Sequence, residues 1–147
     1  MTLAFISAGT PFRFYNANAA TTQFSVQKGG AGFSGINANF YPQLVSWLVA
    51  NPDHARAKDL QQYIAVAENV VMYKYPRCAK AFLSKFEGFG FTEECRKETV
   101  PLNEEEHLKL ESLHATCAAW CKELGIERLN PATCKPTEHV PDTLGAM

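Results

Sequence analysis

The first 52 residues of this 147-residue chain contain no acid and only two cations, Arg13 and Lys28; the first carboxylate is Asp53. An average stretch of that length holds about a dozen charges, since roughly a quarter of residues are Asp, Glu, Lys or Arg. The deficit points to contact rather than chemistry. Because charge is depleted from the cores of interfaces, it points to surface that meets protein rather than water. Long apolar runs are also missing. The longest, around residues 44–50 and 63–67, fall far short of the roughly 20 residues of a helical membrane span. Met1 to Ala8 has neither the basic start nor the apolar run of an export signal. Cysteine is absent before Cys78, and the five present (Cys78, Cys95, Cys117, Cys121, Cys134) are odd in number, which suits reduced thiols better than a disulfide framework. These absences lead to the expectation of a soluble, cytoplasmic protein with no membrane partner, or of a virion component if it is a viral structural protein. No internal repeat is visible.

What is present is enough to fold. The chain is 46% hydrophobic and 12% aromatic, too rich in core-forming residues for disorder, and its length suits one domain over 1–147. A formal charge of -1 supplies no overall field for nucleic acid or anionic lipid.

The expected class is α+β: an N-terminal β-hairpin or small antiparallel meander, a three- to four-helix bundle, and an irregular tail over 126–147. Residues 3–7, 11–15 and 22–28 are β-prone. Phe12 and Phe14 share one face of the second run, and Thr22, Phe24 and Val26 share one face of the third, the period-2 pattern of half-buried strands. The glycines from Gly29 to Gly35 close this β-rich, weakly charged segment. From Pro42 the period becomes helical, with Tyr41, Leu44, Val45 and Leu48 on one face. Asp53 is the expected cap of a second helix carrying Leu60, Tyr63, Ile64, Ala67, Val70 and Val71. A third helix with Cys78, Phe82, Leu83 and Phe86 closes at Gly88. A fourth opens at Asn103 and Glu104–Glu106 and turns Leu110, Leu113, Cys117, Trp120, Cys121 and Leu124 inward before Gly125.

Four patterns bear on function. Gly30-Ala-Gly32-Phe-Ser-Gly35 spells G-x-G-x-x-G, but the run before it is half polar and Pro42 delays the helix, so it reads as a turn-forming loop rather than a dinucleotide site. His114, Cys117 and Cys121 lie at i, i+3 and i+7, with Cys134 downstream. They are weak zinc candidates, and both helical cysteines sit on an apolar stripe where thiols pack as small hydrophobes. Tyr73, Lys74, Tyr75, Arg77 and Lys80 interleave aromatics with cations, the requirement of single-strand nucleic-acid binding. No thiol, histidine or carboxylate set assembles an active site, so neither catalysis nor a cofactor is expected. The leading reading is a non-enzymatic protein that binds itself or another protein through the uncharged segment, with Phe12, Phe14, Tyr15, Phe24 and Phe33 as anchors. Nucleic-acid binding through the basic aromatic stretch is the alternative, and a small metal protein or enzyme using His114, Cys117 and Cys121 is the third reading.

Overall fold

A computed structural model describes residues 12–97 and 100–127. The strand predicted at 3–7 and nearly all of the tail predicted at 126–147, with Cys134, lie outside those residues. Among the described residues the structure is mostly helical, with one small parallel sheet.

Strand β1 (Tyr15–Asn16) pairs with β2 (Gly32–Phe33), Tyr15 opposite Gly32 and Asn16 opposite Phe33. The pair is parallel, which corrects the expected hairpin or antiparallel meander. What joins the strands is a crossover of a short 3-10 turn (Ala19–Thr21) and helix α1 (Thr22–Gln27), and such a crossover returns the chain in the same direction. The third predicted strand is therefore a helix. Its alternation of Thr22, Phe24 and Val26 does not mark a buried face: Thr22 alone is buried and Phe24 is 56% exposed.

Side chains explain why the helix forms. Asn16 Oδ1 accepts the Asn18 amide at 2.9 Å, and Asn18 Oδ1 accepts the Ala20 amide at 2.9 Å, so two successive Asx turns start the coil. Gln61, from a later helix, then accepts the Gln23 amide at 2.8 Å and donates to the Ala19 carbonyl at 2.8 Å. The glycines end α1. A Cβ on Gly30 would lie 2.7 Å from Ser25 Oγ and 2.8 Å from the Ser25 carbonyl oxygen, so only glycine lets the chain turn back against the helix.

After a second 3-10 turn (Ile36–Asn39), the four longer helices follow the sequence period closely: α2 (Pro42–Ala50), α3 (Ala57–Val71), α4 (Arg77–Glu87) and α5 (Glu104–Glu123). Leu44 and Leu48 of α2, Leu60, Ile64 and Val71 of α3, and Phe82 of α4 are essentially inaccessible, and Leu110, Leu113, Cys117 and Cys121 of α5 complete the core. Each of the buried Leu, Ile, Val and Phe side chains contributes about 1.5–3 kcal/mol. Gly88 closes α4 in the left-handed conformation at φ 73°, and Asn103 opens α5 in a reciprocal cap with Glu106. Asp53 is not the cap of α3. That helix starts at Ala57 after Arg56, and Asp53 instead accepts from Gln27 Nε2 at 2.8 Å.

Helix α3 is the centre of the arrangement. It packs on the first 3-10 turn, on α1 and α2, and on α5. Against α5 it runs antiparallel: Arg56 bonds Glu123, Tyr63 meets Thr116, and Lys74 just beyond its end bonds Glu106.

Candidate functional site

The uncharged segment divides into a part used inside the fold and a part left facing solvent. Ala19, Thr22 and Asn37 are almost fully buried, and Phe33 packs against the core. Asn37 Nδ2 donates to the Tyr41 hydroxyl at 2.6 Å, while Asn37 Oδ1 has no partner among the described residues. Burial pushes the Tyr41 phenol up, partly opposed by Asn37. Facing outward are Phe12 (63% exposed), Tyr15 (49%) and Phe24 (56%). Of the five predicted anchors these three are surface groups. Phe14 is half-buried, and Phe33 belongs to the edge of the core.

An open groove of about 970 Å³ is lined by Ala17 and Asn18, by residues 33–39, and by Glu68, Met72 and Tyr75. Among the described residues lining it, Glu68 alone carries a charge. Asn39 Nδ2 donates to the Tyr75 hydroxyl across it at 3.3 Å. Sequence reasoning did not connect Met72 and Tyr75 with residues 33–39, because that pairing exists only once α3 packs on the N-terminal turns.

The basic aromatic stretch is placed differently. Tyr73 and Tyr75 are exposed, but the cations between and after them are engaged. Lys74 Nζ lies 2.8 Å from Glu106 Oε2 and donates to the Pro101 carbonyl at 2.8 Å. Lys80 donates to the Glu94 carbonyl, Lys85 pairs with Glu111 at 2.6 Å, and Arg77 is buried. Glu106 is the hub of this region, since the oxygen that takes Lys74 also accepts the Asn103 amide at 2.8 Å. Burial alone would push the Glu106 carboxyl up, but the bonds from Lys74 and Asn103 outweigh it and hold the group below its ordinary value.

The zinc candidates face different neighbours. His114 stacks on Phe86 at 4.3 Å between ring centres, whereas Cys117 Sγ lies 3.4 Å from the Tyr63 hydroxyl, on the α3 side. Among the described residues no group of three or more His, Cys, Asp or Glu is placed to hold a metal ion. Burial pushes the Cys78 thiol up to about 11 and its Sγ donates to the Val71 carbonyl, the environment of a packed thiol rather than a nucleophile. The G-x-G-x-x-G glycines follow a helix, contain β2, and lead into a 3-10 turn, so they do not run directly into an α-helix N-terminus as a dinucleotide loop does. No helix among the described residues is long and apolar enough to cross a membrane.

No protein-family model matches the chain, and neither the curated proteins nor the solved structures contain one significantly similar to it.

Proposed function

We propose that this is a non-enzymatic protein that works by contact, assembling with further copies of itself or with another protein through the outward face of residues 12–39. The observation that carries the reading is the exposure of Phe12, Tyr15 and Phe24 on a segment with almost no charge, together with an open groove in which, among the described lining residues, only Glu68 is charged. Exposed aromatics supply much area at little cost in rotamer freedom and dominate contact energies. Among the described residues no third strand flanks the two-stranded sheet, and an extended segment of a neighbour can add one. The engaged cations around Tyr73 and Tyr75 favour this reading over nucleic-acid binding, which needs several phosphate-neutralising groups at the surface.

The test is the native mass of the full chain and of a Tyr15→Asp, Phe24→Asp double variant, by light scattering. Both positions are exposed, so the fold should survive, as far-UV circular dichroism would verify. A mass above 16.3 kDa that falls in the variant supports the face as a contact surface. A mass of one chain for both proteins at every concentration overturns self-assembly through it.

A further inference from the structure

A second surface stands apart from residues 12–39, on the far side of α3. Between α3 and α5 runs a groove of about 340 Å³, with Val66 (70% exposed) and Leu108 (53% exposed) at its mouth. Neither belongs to the buried stripe of its helix. On α3 the exposed residues Lys58, Gln62 and Val66 follow at i, i+4 and i+8; on α5 Glu104, Leu108 and Ser112 do the same. Such positions form one ridge along each helix. Lys58 and Glu104 take part in none of the ion pairs among the described residues.

The antiparallel register puts these two charges at opposite ends of the face. Lys58 lies near the start of α3, beside the end of α5, and Glu104 near the start of α5, beside the end of α3. The spans from Val66 to Lys58 and from Ser112 to Glu104 are the same, about 12 Å at 1.5 Å per residue. A two-fold axis through the middle of such a face carries each end onto the other.

We propose that two copies of this chain dock through the α3–α5 face about a two-fold axis near Val66 and Ser112, covering Val66 and Leu108 and setting Lys58 of each copy against Glu104 of the other. An isologous contact repeats every interaction, so the complementary pair occurs twice. The surface does not overlap Tyr15 or Phe24, so this contact and the one proposed above stand or fall separately.

Sedimentation velocity on the full chain over a concentration series tests it, with Val66→Asp, Lys58→Glu, Glu104→Lys and the Lys58→Glu, Glu104→Lys double variant. All three positions are exposed, and circular dichroism checks that each variant keeps its helices. The expected result is a concentration-dependent dimer that Val66→Asp weakens about tenfold or more, that either charge reversal alone weakens, and that the double reversal restores. A wild-type chain that stays single at all concentrations overturns the proposal, whether residues 128–147 or an unrelated partner takes the face. So does a dimer that Val66→Asp leaves intact, or one that the double reversal fails to restore. The Tyr15→Asp, Phe24→Asp variant should keep this dimer even if the N-terminal contact is real.

Discussion

In residues 42–127 the backbone polar groups are satisfied mainly by four helix ladders, and apolar stripes seal those helices together. In residues 12–41 ladders are short and side chains do much of the same work. Asn16, Asn18, Thr22, Gln23 and Gln61 bond the main chain or one another around a two-residue sheet and one short helix. Neutral amides and hydroxyls suit this better than charges, because each can both donate and accept at short reach without the cost of burying an ion. Much of the missing charge is thereby explained by the segment's own architecture. The exposed aromatics are what internal architecture does not use, and they carry the proposed contact.

If the two regions differ in this way, they should fail differently. The largest effect belongs to the helical core. Phe82 is 1% exposed, with Phe40 and Phe86 each 5.1 Å away between ring centres. Phe82→Ala should cost about 3–5 kcal/mol in urea denaturation, and it should lower hydrogen-exchange protection in both regions alike. Gln61→Ala removes the bonds to the Gln23 amide of α1 and to the Ala19 carbonyl of the turn before it, and should cost about 1–2 kcal/mol. Exchange should then rise mainly over residues 19–27, while the amides of α5 hold. A uniform rise would erase the distinction between the regions.

The smallest effect is electrostatic and confined to the helical side. Glu106 has its carboxyl held below the ordinary value, so its contribution to stability is present above the unfolded-state range near 4.3. That contribution is lost as the pH falls from there through the lowered folded value. Wild type should accordingly lose more stability than Glu106→Gln between neutral and acid pH in a denaturation series. Equal slopes would mean that Lys74 and Asn103 do not stabilise the ionised form.

The sequence made the helical half legible because its signals are local. Leu60, Ile64, Ala67 and Val71 repeat at helical spacing, Gly88 ends α4, and Asn103 with Glu106 starts α5, and each stands where the period places it. The N-terminal half was misread because its determinants are distant. The amide that favours a helix over a strand at Gln23 belongs to Gln61, 38 positions away, and nothing in the local alternation of Thr22, Phe24 and Val26 reveals it. Asp53 had the chemistry of a cap, but Gln27 takes it. The α3–α5 face did leave a trace in the sequence: Val66 and Leu108 are apolar residues that fall off their helices' buried stripes.

Everything proposed for residues 12–39 depends on this segment being a layer of the fold and not an arm. The most direct measurement is amide hydrogen exchange, by nuclear magnetic resonance, at three positions: Gln23, bonded to Gln61; Ala31, bonded to the Phe14 carbonyl at 2.7 Å; and Ser34, bonded to the Asn16 carbonyl at 2.8 Å. Protection well above that of an unstructured peptide at all three, in dilute protein where contacts between copies are absent, is the predicted result. Exchange at the unstructured rate, with protection appearing only as concentration rises, would contradict it and make the segment an arm ordered by its neighbour.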